Sequence, residues 1–360
     1  MTASGTLIEI GIVAYPGAQQ AAVLGLTDLF AIADRAAADR AAHEDAAEVP
    51  RLRVSHWRVK EGQLKDGRLT DKPDATMPVS CTEDTHAGLP HRPVYLLLPP
   101  RLNGLPPAES NAALAPWLRA QHAEGTVLGS VCAGAFVLAH SGLLDGRAAT
   151  THWSYAEIFA AQFPEIAVDT DKLIIDDGDI ITAGGLMAWT DLGLRIVERL
   201  LGATVMLETA RILLVDPAGR EQRFYSSFAP KLHHGDKAIL KVQHWLQGQA
   251  TRDVTLADMA AQAGLEERTF LRRFHKATGL KPTEYCQHLC VGKAREMLEF
   301  SKQSVEQVAW AVGYEDAGAF RKVFQKVMGL SPGDYRRRFA VGINLTPATS
   351  AETDVPLKRP

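Results

Sequence analysis

Residues 126–140 read Thr-Val-Leu-Gly-Ser-Val-Cys132-Ala133-Gly134-Ala-Phe-Val-Leu-Ala-His140: an apolar strand, one cysteine, a glycine two residues on, then a helical run. A thiol at such a strand-to-helix corner stands at the carboxyl edge of a sheet above a helix N-terminus. That placement lowers a thiol's pKa and suits a nucleophile or a redox sensor. Open parallel sheets also bind ligands along this edge. Cys132 can equally be a small residue filling a tight turn, and the residues alone support both readings.

A second set of residues points to electrostatic recognition. Phe270, Phe274, Gly279, Pro282 and Tyr285 recur 50 positions later as Phe320, Phe324, Gly329, Pro332 and Tyr335, and Ala260 and Gly264 recur 49 later as Ala309 and Gly313. At about 100° per residue, Phe270, Leu271, Phe274, Ala277 and Thr278 share one arc of a helix. Arg268, Thr269, Arg272, Arg273, His275 and Lys276 fill the other arc. The second copy places Ala319, Phe320, Val323, Phe324, Val327 and Met328 against Gly318, Arg321, Lys322, Gln325 and Lys326. Each basic helix follows a short Ala-rich helix that ends in Gly264 or Gly313, the residue able to reverse the chain in the left-handed region. One basic amphipathic helix is usually just a solvated face. Two copies with matched turns are helix-turn-helix chemistry, aimed at phosphates and base edges.

Charge follows the same division. Residues 236–340 hold 17 lysines and arginines against 12 acidic residues, net +5, whereas the remainder holds 22 against 30, net −8. The whole-chain value of −3 hides this split, which marks the C-terminal part for a polyanion.

Other elements must position these groups. Apolar runs at 7–13, 52–59, 93–98 and 126–131 alternate with helical patterns such as 18–35 and 112–124, which predicts a parallel sheet covered on both faces. Residues 36–50 either extend the first helix or form a loose connection, and 62–78 read as a polar hairpin or loop. No run approaches the roughly 20 apolar residues of a membrane span, and no basic stretch followed by an apolar core opens the chain, so a cytoplasmic location is expected. Cysteines 81, 132, 286 and 290 lack Cys-x-x-Cys spacing, and Cys286 and Cys290 read as buried small residues, so no metal and no cofactor is expected.

Gly-Tyr314-Glu-Asp, Phe320-Arg-Lys-Val-Phe324 and Gly329-Leu-Ser-Pro332-Gly-Asp-Tyr-Arg336 resemble the DNA-binding domain of the AraC/XylS transcription regulators. The resemblance implies a helix near 282–299 that links the two motifs, and two recognition helices in successive major grooves. It turns Arg268, Arg272, Arg321 and Lys322 toward bases, with Arg273 and Lys276 on phosphates. Thr269, Gln325 and Lys326 complete the predicted surface. Ala317 and Gly318 stand where polar readers are common in the family, so the first motif should discriminate more.

Cys132-Ala-Gly-Ala, Gly142-Leu-Leu-Asp-Gly-Arg-Ala-Ala-Thr-Thr151-His152-Trp153, Tyr15-Pro-Gly-Ala18 and Ile181-Thr-Ala-Gly-Gly185 are similar to the PfpI/class I glutamine amidotransferase-like domain found in GlxA-like regulators. The resemblance implies a flavodoxin-like doubly wound sheet and, in catalytic members, a cysteine nucleophile helped by a histidine. His152 is the candidate partner of Cys132, while Ala133 excludes the version with an adjacent histidine. Ala22 replaces a common acid, leaving Asp191 and Glu9 as possible ones. Pro100, in Leu98-Pro99-Pro100-Arg101, has no N–H to serve an oxyanion.

The expectation is therefore a sensing and dimerising domain over 1–225, a linker over 226–236, an all-α double helix-turn-helix domain over 237–340 and a disordered tail over 341–360. The chain should be a DNA-binding regulator, an activator and homodimer that meets promoter DNA and RNA polymerase. A nitrogen-containing metabolite should occupy a non-catalytic pocket near Cys132, Ala133, His152 and Pro100. The alternatives are a cysteine-dependent amidase or hydratase fused to a DNA-binding module, and a thiol redox sensor at Cys132.

Overall fold

Consecutive parallel strands need a crossover to return, so apolar runs separated by helical ones build a sheet flanked by helices. The computed structural model describes residues 6–44, 49–59, 64–65, 68–69, 79–216, 220–248 and 254–341, and the chain divides into two units, Met1–Arg223 and Phe224–Pro360. The predicted tail, apart from residue 341, and most of 62–78 lie outside the described residues.

The first unit contains β1 (Leu7–Ala14), α1 (Gln20–Glu44), β2 (Arg51–Val59), β3 (Leu64–Lys65), β4 (Arg68–Leu69), β5 (Val79–Asp84) and β6 (Pro93–Leu98). It continues with α2 (Ala108–Ala123), β7 (Val127–Val131), α3 (Gly134–Ala139), β8 (Ala148–Ala149), α4 (Ala156–Gln162), β9 (Ala167–Val168), β10 (Ile174–Asp176), β11 (Ile180–Ala183) and α5 (Trp189–Leu213). Seven strands form one sheet in the order β10-β11-β7-β6-β1-β2-β5. The five inner strands are parallel, and antiparallel β10 and β5 close the two edges. Among the parallel strands the spatial order is second, first, third, fourth, fifth: the flavodoxin-like winding, which reverses between β1 and β6. Ile10, Ile12, Leu96, Leu97 and Leu128 are fully buried in its core. Helix α5 lies close on α1, since a Cβ at Gly193 would come within 2.9 Å of Leu29.

Residues 36–44 take the first of their two expected courses: helix α1 continues past Arg35 to Glu44, because its Ala-rich extension favours helix and buries Ala36 and Ala37. Strand β5 was missed because its sequence, Val-Ser-Cys-Thr-Glu-Asp, is that of a polar edge strand.

The second unit is all helix: α6 (Lys237–Gly248), α7 (Leu256–Ala263), α8 (Glu267–Thr278), α9 (Pro282–Phe300), α10 (Val305–Ala311), α11 (Ala317–Met328) and α12 (Pro332–Phe339). Two apolar clusters fill it. One gathers Ile239, Met259, Phe270, Phe274 and Tyr285, and the other Val308, Phe320, Phe324, Met328 and Tyr335. Helix α9 supplies Tyr285 to the first and Val291, Ala294 and Leu298 to the second, as a linking helix must. Residues read as the linker lie against this unit: Phe228 stacks on His288, and the Lys231 carbonyl accepts from Gln243 at 3.0 Å. No helix among the described residues is long and apolar enough to cross a membrane.

Candidate nucleic-acid interface and ligand corner

The sequence repeat is also a repeat of packing. Phe274 meets Tyr285 edge-on at 5.3 Å between ring centroids, and Phe324 meets Tyr335 edge-on at 5.5 Å. Thr255 caps α7 in a capping box with Asp258, and Ser304 caps α10 with Gln307. These caps satisfy N–H groups that a helix start leaves open. Gly264 (φ 66°) and Gly313 (φ 99°) turn the chain toward the second helix of each motif. Asp316 then caps α11 by accepting from the Gly318 and Ala319 N–H groups, and a Cβ at Gly318 would come within 3.2 Å of its carboxylate.

Burial of Phe270, Phe274 and Thr278 leaves Arg268, Arg272 and Lys276 exposed on α8, with Thr269 half-buried; burial of Phe320, Phe324 and Met328 leaves Arg321, Lys322, Gln325 and Lys326 exposed on α11. Arg321 pairs with Glu306 of α10, an exposed pair that phosphate can displace. Leu271 had been placed on the packing arc, yet it is exposed beside the basic side chains. Arg273, expected on a phosphate, is paired within its own unit. Its guanidinium grips Asp236 through two hydrogen bonds of 2.9 and 2.7 Å, because its position on α8 turns toward the start of α6. The sequence offered no signal for this, since the partners stand 37 residues apart.

In the first unit, β7 ends at Cys132, whose φ of 53° is the left-handed strain of a nucleophile-type elbow. The Cys132 N–H donates to the Ala183 carbonyl of β11 at 2.7 Å, and Thr151 Oγ1 donates to the Cys132 carbonyl at 2.8 Å. A Cβ at Gly134 would lie 2.4 Å from the Leu98 carbonyl oxygen, so only glycine lets α3 start this close to β6.

The thiol's environment departs from the expectation that a helix N-terminus would depress its pKa. Burial pushes Cys132 up to about 11, outweighing the Ala133 and Gly185 N–H groups that favour the thiolate. His152 does not serve it. Its Nδ1 accepts from the Ser154 N–H at 3.1 Å and pairs with the Ser154 hydroxyl at 2.7 Å, while burial lowers its pKa. No hydrogen bond joins His152 to Cys132 among the described residues. Tyr15 and Tyr155 stand near enough to the thiol for its charge to raise their pKa values, behind the larger effect of burial. Glu9 and Asp191 are engaged elsewhere, with His91 and Arg220 respectively. Ala22 is buried.

The loop after β6 presents acceptors where an oxyanion would need donors. Pro99 accepts from the Tyr15 hydroxyl at 2.5 Å, Pro100 accepts from the Gln19 N–H at 2.7 Å, and neither proline has an N–H. Sequence reasoning missed three polar groups that loops deliver. Among the described residues, buried Gln19 has an Oε1 without a hydrogen-bond partner, and Arg101, set against Gly17, has an unpartnered Nε. Gln222 pins the 150–153 loop, donating to Thr150 Oγ1 and the Thr151 carbonyl and accepting from the Trp153 N–H.

A family model described as a helix-turn-helix domain matches residues 259–338, and the DJ-1/PfpI family model matches residues 104–199. The chain is similar to the HTH-type transcriptional regulator CdhR of Pseudomonas aeruginosa, 28% identical over 227 residues, which cover 62% of this chain and 67% of that protein. It is likewise similar to the HTH-type transcriptional regulator GlxA of Rhizobium meliloti, 29% identical over 220 residues, covering 59% and 66%. The isonitrile hydratase of Pseudomonas putida is 32% identical over 111 residues, covering 31% of this chain and 45% of that protein. The matches to the two regulators thus span about two thirds of the regulators' own lengths. The chain thus joins a region similar to the DJ-1/PfpI family to one similar to a helix-turn-helix domain, and the two relatives that span both are HTH-type transcriptional regulators.

Proposed function

We propose that the chain acts in the cytoplasm as a homodimeric activator that reads promoter DNA with α8 and α11 and engages RNA polymerase when a small metabolite occupies the Cys132 corner. The observation that carries the DNA-binding part is the exposure of Arg268, Arg272, Lys276, Lys322 and Lys326 on two equivalently packed helices. Arg268 and Arg272 make two-pronged contacts to guanine and Arg321 and Lys322 face the second groove, while Lys276 and Lys326 hold phosphates, with Thr269 and Gln325 adding polar contacts.

The corner holds its molecule without turning it over. A thiol pushed up to about 11, a histidine committed to Ser154 and a loop of carbonyl acceptors leave neither an activated nucleophile nor a full oxyanion site. The effector carries an N–H for Gln19 Oε1 and an anionic group for Arg101. A panel of such metabolites should raise the melting temperature of the full chain, and Gln19→Leu should abolish the rise.

The DNA reading is tested by titrating the full chain onto a promoter fragment across salt concentrations. Log affinity should fall linearly with log salt, by about 0.9 for each phosphate contacted. A flat salt response, or equal affinity for a scrambled fragment, contradicts it. The likeness to isonitrile hydratase favours a second reading, catalysis at Cys132. Isonitrile turnover that vanishes in Cys132→Ala would establish that instead.

A further inference from the structure

Four strands across the sheet from β7, on its β5 edge, a second cysteine faces a histidine and a carboxylate. We propose that Cys81, Asp84 and His91 bind a divalent cation of the zinc class, at a site separate from the Cys132 corner and independent of DNA binding.

The first support is how the strands bring these residues together. Cys81 and Asp84 are three positions apart, which on a regular strand would point them to opposite faces. A bulge between β2 and β5 corrects this: Asp84 pairs with Ser55 and Cys81 with Trp57, leaving Thr82 as the extra residue. Ser55 and Trp57 share one face of β2, so Cys81 and Asp84 share it too. Arg53 lies on that face and pairs with Glu9 of β1, which brings Glu9 to the same side.

The second support is the way His91 is held. Buried Glu9 accepts from Ser55 Oγ at 2.6 Å, from His91 Nδ1 at 2.8 Å and from the Arg92 N–H at 2.8 Å. A carboxylate oxygen accepts only, so Nδ1 donates its proton to Glu9 and Nε2 is the ring nitrogen left to meet a metal. Histidines that bind metals are held in this way, with the other ring nitrogen donating to a carboxylate. Nε2 stands 3.7 Å from Asp84 Oδ2, too far for a hydrogen bond. One ligand atom from each of Cys81, Asp84 and His91 lies within 4.8 Å of the other two, a spacing that a small side-chain adjustment closes around one ion.

The third support is charge and ligand type. With the Cys81 proton released to solvent, the thiolate and the Asp84 and Glu9 carboxylates carry three negative charges. Arg53, buried and set against both carboxylates, carries one positive charge. The remaining two negative charges match a divalent ion. Sulfur, imidazole and carboxylate together select zinc over magnesium or calcium, and three protein ligands leave a fourth position for water. An ion-pair network would account for Glu9, Arg53 and Asp84. It would not account for a thiol sulfur that stands within 4.8 Å of the same carboxylate and imidazole.

The test uses the full chain, stripped with a chelator and titrated with zinc and, separately, with cobalt. We expect one tight equivalent of zinc per chain and, with cobalt, a thiolate-to-metal charge-transfer absorption. Cys81→Ser, on a partly exposed edge strand, should remove that absorption and the tight zinc equivalent, as should His91→Gln, while Cys286→Ala keeps both. Glu9→Gln should weaken zinc by about tenfold to a hundredfold through His91. Absence of stoichiometric binding, or a cobalt absorption unchanged in Cys81→Ser, overturns the proposal.

Discussion

Arg272 and Lys276 stand one turn apart on the exposed arc of α8, and their head groups divide the work. A planar guanidinium can satisfy both acceptors of one guanine, whereas an ammonium is a point charge suited to phosphate. Arg272→Ala should therefore relax sequence preference at one base position by about 1–3 kcal/mol. Lys276→Ala should weaken all sequences alike and reduce the salt slope by about one. Competition titrations against singly substituted sites separate the two, and equal losses on every sequence from both variants would refute the division. Cys132 supplies a residue-scale test of the corner. With its thiol pushed up to about 11, native-state alkylation should stay far below that of the unfolded chain at neutral pH and climb only on approach to that value. Alkylation at neutral pH as fast as in the unfolded chain would mean that the thiol is activated.

Helix α8 is held to the start of α6 by Arg273 and Asp236, and this clip should show in how stability varies with pH. The guanidinium holds the Asp236 carboxyl below its ordinary value. Its contribution is therefore complete above the unfolded carboxylate pKa, about 3.9, and is lost as pH falls through the lower folded value. Asp236→Asn should melt earlier than the native chain at neutral pH, modestly because the pair is partly exposed. That gap should close as acidification carries the pH below the lowered folded value; a gap that persists once the carboxyl is protonated in both states, or none at neutral pH, contradicts the assignment.

The same helix shows what a sequence reveals. Its buried and exposed faces were legible because they depend on spacing within twelve residues. The inward turn of Arg273 was not, because its partner lies on another helix. Likewise β1, β2, β6 and β7 announced themselves as apolar runs, while β5 hid behind polar residues. Cys132 was legible as a strand-to-helix corner, but the groups around it, Tyr15, Arg101 and Tyr155, arrive from separate loops. Spacing therefore located the thiol without revealing that burial would raise its pKa.

Across the whole molecule, charge and repeat tell one story. The helix-turn-helix region carries +5 and the rest −8, so attraction to DNA is concentrated where the exposed arginines and lysines are. The two copies are unequal: α8 offers three exposed cations with no ion pair among the described residues, whereas α11 opens with Ala317 and Gly318 at its Asp316 cap and has Arg321 tied to Glu306. Base discrimination should accordingly be stronger in the half-site met by α8. The most direct test of the central claim is hydroxyl-radical footprinting of the full chain on its promoter site. Two helices in successive major grooves predict two protected windows on one face of the DNA, about 10 base pairs apart, with the window sensitive to Arg272→Ala also the more sequence-selective. A single protected window, or none above that of a scrambled fragment, would contradict the account.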